Sequence, residues 1–443
     1  MASDLLSIAA SGARAARGAL DVTAQNIANA STDGYVRRSA RMEEVAAAGG
    51  WNRVGDISLS GVRVAGVHRN ADMFRQAEVR RTGSDLARAD TELRGLENLE
   101  ASVEQSGVYD SIVELEGALQ QLSTNPTDPS LRAAVLAGAD TLARKFNIAV
   151  ETLDAAGEGL RFEAAGAIDE ANVIGGELAR VNLRLARAGV GSSDRASLLD
   201  QRDALLERMS GVVDISTSFA ADGSVTVATG GATLVSGGSA AALSMTTNAA
   251  DGTIAFAVGG AAIQPSGGSL AGAALALQAG ADVRARLDAL ADGIAGAVNG
   301  AQTSGAALDG TPGQPIFGGT GAAGITVVMS DSAGLATAPA GAPPGSLDGS
   351  NLAVMRQALD SSGAAKSMNA LLFDVSSAVA GRTITRDALD SIAASARISL
   401  EQQAGVDLDT EAANLMRFQQ AFQASGRAMQ VASNIFDTLL QLR

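Results

Sequence analysis

The alternation of apolar and polar positions divides the chain into four textures. Over residues 1–30, apolar or small positions at Leu5, Ile8, Gly12, Ala15, Ala19 and Val22 recur three and four apart. This heptad seam runs on into Asn26 and Asn29. A neighbouring row of Leu6, Ala9, Ala13, Ala16, Leu20 and Ile27 is also apolar, so the predicted helix carries two adjacent stripes, more than one partner would cover. Ser3 can cap its start, Asp4 suits the positive end of the dipole, and Gly34 lies just past its end. Residues 35–75 hold short extended pieces, among them 62–67, with Gly punctuation. From 76 to 210 the pattern is helical and charged. Its clearest break is Thr124-Asn-Pro-Thr-Asp-Pro-Ser130, where Pro126 and Pro129 stop one helix and Asp128 or Thr127 can cap the next. Leu198, Leu199, Leu205, Leu206 and Met209 mark the apolar face of the last helix in this stretch.

Near residue 211 the texture turns Gly-, Ser-, Thr- and Ala-rich, with β runs at 225–227, 254–258 and 325–329. Two of them follow Asp222-Gly223 and Asp251-Gly252, a strong hairpin signal. A helical stretch near 270–300 can belong to this region or to the helical one. Helix returns from about 351, and its final segment, 409–441, has no Pro and one Gly; at 1.5 Å per residue it could extend about 48 Å. Leu408, Leu415, Phe422, Met429 and Phe436 fall at seven-residue intervals, with Phe418, Ala432 and Leu439 beside them, forming a second heptad seam. The expected fold class is α+β, mainly α: N- and C-terminal helices paired in a coiled coil, a long-helix bundle domain, and an inserted antiparallel β domain. The expected segments are 1–60 for the N-terminal coiled-coil helix and linker, 61–210 for the bundle, 211–345 for the β insertion, 346–405 for a return to the bundle, and 406–443 for the C-terminal coiled-coil helix.

Composition sharpens this picture. Of the 443 residues 46% are hydrophobic, but many are Ala and only 3% are aromatic. At about 25 cal/mol per Å², alanine contacts are individually small, so stability must come from many contacts along long helices or from neighbouring subunits. A net charge of −15 argues against nucleic acid and anionic membranes as partners, and solubility alone explains it. With no Cys and a single histidine, His68, disulfides, thiolate sites and His-rich metal sites are excluded. The start has an acid and no basic region, and no apolar run approaches 18 residues, so neither a secretory signal nor a membrane span is expected. By these rules alone the chain reads as cytoplasmic.

Candidate chemistry is sparse. Gly319-Thr-Gly-Ala-Ala-Gly324 spells a dinucleotide fingerprint but lacks the strand before it and the helix after it. The only lysines are Lys145 and Lys366, and no Walker motif exists. The carboxylate pairs Glu97/Glu100 and Asp407/Asp409 fit solvated helix surface or capping. No catalytic, cofactor-binding or metal-ligating residue is assigned, and no cofactor is expected.

The two seams, separated by nearly the whole chain, suggest that the ends return to one another as a coiled coil; two amphipathic helices packing on one globular core is the plainer alternative. Asn26-Ile-Ala-Asn-Ala-Ser-Thr32 followed by Gly34-Tyr35 resembles the N-terminal signature of flagellar rod, hook and hook-associated proteins. Leu122-Ser-Thr-Asn-Pro-Thr-Asp-Pro-Ser-Leu-Arg132, Leu198-Leu-Asp-Gln-Arg-Asp-Ala-Leu-Leu206, and the run from Leu408 through Ser425 to Phe436-Asp-Thr-Leu-Leu440 resemble the hook-associated protein 1 family in particular. That resemblance implies a non-enzymatic subunit of the extracellular flagellum, exported by the flagellar secretion apparatus without a cleaved signal peptide, joining hook to filament. Its implied partners are further copies in a tubular homo-assembly, the hook subunit, the next hook-associated protein, and an export chaperone on the C-terminal helix. The assembly residues it implies are Leu5, Ile8, Gly12, Ala15, Ala19, Val22, Asn26, Ile27, Asn29, Gly34, Tyr35, Leu408, Leu415, Phe418, Phe422, Met429, Phe436 and Leu439. The ends are expected to order substantially on assembly. A hook or rod subunit and a secreted adhesin-like binding protein are the rival readings. Trp51, the only tryptophan, could anchor an interface or simply pack.

Overall fold

A computed structural model describes residues 2–32, 34–46 and 59–441. Trp51 lies outside the described residues, as does the side chain of Ser3. The first helix, α1 (Ala2–Ala28), leads into an antiparallel hairpin of β1 (Arg38–Ala46) and β2 (Leu59–Arg69). Four helices follow: α2 (Met73–Ser106), α3 (Val108–Leu122), α4 (Pro129–Leu185) and α5 (Ser193–Val212). Asp128 caps α4, its carboxylate accepting from the Ser130 and Leu131 amides, with Pro129 at the first helical position where its missing N–H does no harm.

Within 211–345 the regular strands are concentrated early. β3 (Ser216–Phe219), β4 (Val225–Thr229), β5 (Ala232–Ser236) and β6 (Ser239–Ala240) form one antiparallel meander, and β7 (Leu243–Thr247), β8 (Ile254–Val258) and β9 (Ala261–Ile263) another. Both Asp-Gly pairs lie in hairpin turns: Asp222 accepts from the Ser224 amide and hydroxyl, and Asp251 does the same for Thr253. The undecided stretch is a 36-residue helix, α6 (Gly268–Thr303), and it packs mainly on α2 and α4, with the helical bundle. Its Leu277, Val283, Leu287, Leu290, Ile294 and Val298 keep helical spacing through the Ala- and Gly-rich background. After it come only two-residue ladders, β10 (Gly305–Ala306) with β13 (Ala338–Pro339) and β11 (Phe317–Gly318) with β12 (Thr326–Val327), and one turn of helix, α7 (Gly321–Gly324). The chain then closes with α8 (Ser350–Ser362), α9 (Ala364–Ala404) and α10 (Leu408–Gln441).

Two large cores result, both shared by α4 and α6, with a small cluster of Leu160, Ala276 and Leu277 besides. One gathers Leu115, Leu142, Phe146, Leu287, Ile294, Phe317, Met355, Met368 and Leu371; the other sets Ile174, Leu178, Leu206 and Met209 against Val225, Val235, Leu243, Phe256 and Leu270. Helix-borne asparagines fasten the short strands. Asn172 bonds the amide and carbonyl of Leu243, and Asn182 bonds both groups of Val225, each amide side chain replacing a strand neighbour.

Among the described residues Arg132 is the largest fully buried side chain. Its guanidinium donates to the carbonyls of Pro126 (2.6 Å), Ser332 (2.9 Å), Ala333 (3.1 Å) and Leu335, binding the loop after β12 to the start of α4. Burial pushes its pKa below the ordinary arginine value, opposed by Asp331. Arg132→Leu leaves the Pro126 and Leu335 carbonyls without this donor, Ser332 and Ala333 keeping the Leu335 and Leu308 amides, and is expected to destabilise the body by about 3–5 kcal/mol in urea unfolding, with Arg132→Lys intermediate because an ammonium lacks the planar fork.

Candidate functional site: the terminal helix pair and its anchor

The two ends of the chain meet. α10 packs principally on α1, and α1 also lies against the β1–β2 hairpin. The two helices come close at Gly12, where an added Cβ would sit 2.9 Å from Ser425 Oγ. Gly12→Ala should therefore weaken the pair, through a clash that outweighs its helix propensity. In a Ser425→Ala background, where the next atom is 3.7 Å away, the same change should instead stabilise by about 0.5–1 kcal/mol. Hydrogen exchange of α10 amides reads this inversion of sign.

The hairpin covers a side of α1 that belongs to neither apolar row: Ser11 Oγ accepts from the Val62 amide at 3.1 Å, and Gly18 lies against Val64. In the second row Ala9, Ala13 and Ala16 are buried while Leu6 and Ile27 are exposed. Ala15, Ala19 and Val22 are buried between these elements and Ile8 is half-buried. What stays uncovered is specific. Leu5, Leu6 and Ile27 on α1, and Leu408, Met416, Phe422, Val431, Ile435 and Phe436 on α10, are exposed, Phe422 at 44% and Phe436 at 51%. Leu415, Phe418 and Met429 are half-buried towards α1, and the side chain of Leu439 lies outside the described residues.

A polar hub fixes this pair to the body. Asn26, 1% exposed, donates to the Arg38 carbonyl (2.8 Å) and accepts from the Arg38 amide (3.0 Å) and the Tyr35 hydroxyl (2.9 Å), locking the end of α1 onto β1. Gly34 supplies the positive φ of 73° in the intervening turn, and Asn29 bonds back to the Gln25 carbonyl at 2.9 Å. From the other side α5 presents Asp200 and Asp203. Asp200 pairs with Arg38 (2.8 Å) and Arg69 (2.6 Å); Asp203 pairs with Arg69 (2.7 Å) and Arg202 (2.6 Å) and accepts from Gln76 (2.9 Å). Burial alone would raise the Asp203 carboxyl, but the Arg69 and Arg202 charges and hydrogen bonds prevail and hold it below the ordinary carboxylate range. Burial raises the Tyr35 phenol, against the pull of Arg38. The α9–α10 elbow joins the same hub: the Arg37 amide donates to the Ala404 carbonyl at 2.9 Å, Asn70 to that of Gln403 at 2.7 Å, and Arg37 pairs with the buried Glu411 at 2.7 Å.

Three of the segments quoted for the resemblance thus converge: the N-terminal signature, the Leu198–Leu206 segment of α5, and the start of the last helix. Sequence spacing did not single out Arg37, Arg38, Arg69, Asp200, Asp203 or Glu411. The available signal was charge placed on the otherwise apolar face of α5. The dinucleotide-like glycines have another use, since the Gly321 and Ala322 amides donate to Asp292 and Asp288 of α6, both at 2.7 Å. Asp407 accepts from the Thr410 amide at the start of α10. Among the described residues no cluster of acids and histidines is placed to hold a metal, and no helix is long and apolar enough to cross a membrane.

Known proteins match the chain in three places. Residues 6–35 match the flagella basal body rod protein family, and residues 401–442 the C-terminal segment of flagellar basal body rod FlgEFG proteins. The two ends, which pack on each other, thus both match segments of flagellar rod-type proteins. Residues 93–317, just over half the chain, match the helical domain of flagellar hook-associated protein FlgK, and the chain belongs to that family. Flagellar hook-associated protein 1 of Bacillus subtilis is 28% identical over 46% of the chain and 42% of the relative; that of Salmonella typhimurium is 29% identical over 55% and 44%. The matches therefore span less than half of these relatives' length. The flagellar hook junction protein FlgK from Burkholderia pseudomallei superposes with a TM-score of 0.49 at 24% identity, over 55% of this chain and 46% of that one.

Proposed function

We propose that the chain is a structural, non-enzymatic subunit of the extracellular flagellum, an adaptor between hook and filament. The observation that carries this reading is the α1–α10 pair: joined to each other, fixed to the body by a buried polar hub, and apolar on their outward faces. An apolar face of this kind on a soluble chain calls for a partner, and contacts repeated head to tail generate rings or tubes. The terminal pair forms the inner layer of that tube, through Leu5 and Ile27 of one copy and Phe422 and Phe436 of the next, with the helical body and then the strands of 216–263 lying outward. Partners are further copies, the hook subunit below and the next hook-associated protein above. An export chaperone covers the apolar row of α10 before secretion, and export proceeds through the flagellar apparatus. The mechanism is mechanical and needs no cofactor.

Labelled chain viewed on intact flagella tests this reading. A thin band at the distal end of the hook is expected; label along the hook's whole length would mean a hook subunit, and none on the flagellum would end the proposal.

A further inference from the structure

The body leaves a long helix face unpartnered. α9 is seated by its inner side: Met368, Leu371 and Val375 enter the core, and Arg382 and Arg386 pair with Glu92 (2.9 Å) and Asp90 (3.4 Å) of α2. On the opposite side a row runs from Phe373 to Ile398 in steps of four, three, four, four, three, four and three residues, keeping to one face for about 38 Å. All of its positions are exposed, Phe373 at 71% and Ile384 at 72%, and none is charged. The acids at its margins, Asp374 and Asp387, are engaged by Arg286 (3.0 Å) and Arg386 (3.2 Å). A solvated helix face ordinarily carries charge, and an apolar one of this length marks a contact.

We propose that this face pairs two copies of the chain, antiparallel and about a two-fold axis. The row matches itself when turned end for end. Phe373 then meets Ile398, Ser377 meets Ser395, Ala380 meets Ser391, and Ile384 meets Ala388. Ser and Ala on both sides of the crossing let the backbones approach, and the wide side chains fall at the ends, where two crossing helices diverge. To one side Ile392 comes over Gly381, where nothing lies within 4 Å of an added Cβ. A parallel alignment would instead stack Phe373 on Phe373 and Ile384 on Ile384, and would line up the helix dipoles. Charge selects the same face: a chain of net charge −15 repels its own copies wherever acids are free, and here they are absent or engaged. The patch is the same on both copies, as a closed two-fold contact requires, whereas a tube needs head-to-tail contacts. The pairing therefore belongs to the free chain and is independent of the assembly proposed above.

Sedimentation equilibrium of the full chain, free in solution, tests the pairing. A monomer–dimer equilibrium is expected. Ile384→Asp places an uncompensated carboxylate from each copy in the seam and should raise the dimer dissociation constant at least about tenfold, while Phe422→Asp should leave it unchanged. A chain that stays a monomer overturns the proposal. So does a dimer that Phe422→Asp disperses and Ile384→Asp does not, which would place the contact on the terminal pair. A monomeric parent whose addition to hooks falls with Ile384→Asp would give the row to a neighbour within the tube, again overturning the two-fold pairing. Orientation is read by cysteine chemistry, which also serves if Ile384→Asp fails to fold. The chain has no Cys of its own. Positions 377 and 395 lie about 27 Å apart along α9, too far for a disulfide within one copy. On oxidation the double variant Ser377→Cys, Ser395→Cys should therefore run as a covalent dimer, and each single variant as a monomer. Equal dimer from a single variant would mean parallel pairing or chance collision, and no dimer from the double variant would mean no contact in this register; either overturns the proposal. Addition of the parent to hooks bears only on the assembly reading, so either reading can fail while the other stands.

Discussion

Asp203→Ala is expected to be strongly destabilising, lowering unfolding free energy by about 3–5 kcal/mol. The carboxylate is buried and accepts from Arg69, Arg202 and Gln76 together. Removing it leaves two guanidiniums enclosed with reduced compensation, Arg69 retaining Asp200 and Arg202 retaining the Gly223 carbonyl (2.7 Å) and the ring of Phe219 (4.5 Å). Because Arg202 reaches the β3–β4 turn while Arg69 ends the hairpin, the loss should propagate both to the meander and to the terminal pair. The same carboxylate sets an acid limit. Its folded-state pKa lies below the unfolded value of about 3.9, so its stabilisation is complete above that value and is lost as pH falls through the folded pKa. Urea midpoints taken across pH 3–6 should decline more steeply at the acid end in the parent than in Asp203→Ala, where Asp72, Asp222, Asp251, Asp309 and Asp407 still contribute. A parallel decline in both proteins would contradict the role given to this group.

The second large effect concerns assembly. Phe422→Asp should change the stability of the free chain by less than about 1 kcal/mol, because the ring is already partly in water. In the tube proposed above the same position would be desolvated against a neighbour, and an unpaired carboxylate there should abolish addition to hooks. Phe162→Asp is the control: this ring, on α4, is 82% exposed and lies outside the terminal pair, so assembly should persist. Bacteria carrying Phe422→Asp are expected to lose filaments and swim no further than a strain lacking the protein. Normal swimming would set aside the interface.

Helical periodicity made the terminal helices legible, because α1 and α10 are amphipathic over many turns. The Asp-Gly turns and the Pro129 start of α4 were legible for local reasons, since their chemistry is complete within four or five residues. The hub was not. Its partners are separated by up to 374 positions, as for Arg37 and Glu411, and no local pattern tells a buried arginine from a solvated one. The asparagine clamps were hidden for the same reason. The width of the apolar stripe on α1 was legible, but the seat of the hairpin was not: the strands meet α1 at Ser11 and Gly18, which belong to neither apolar row. α6 looked ambiguous because Ala and Gly dilute its apolar rows, and its allegiance was decided only by packing on α2.

Hydrogen exchange of α10, in the free chain and after addition to hooks, bears most directly on whether the terminal helices find their full set of contacts only in other molecules. In the free chain its amides should exchange far faster than those around Phe146 in α4, and they should become strongly protected on assembly. Protection in the free chain equal to that around Phe146, unchanged on hooks, would show the helix already satisfied within its own molecule.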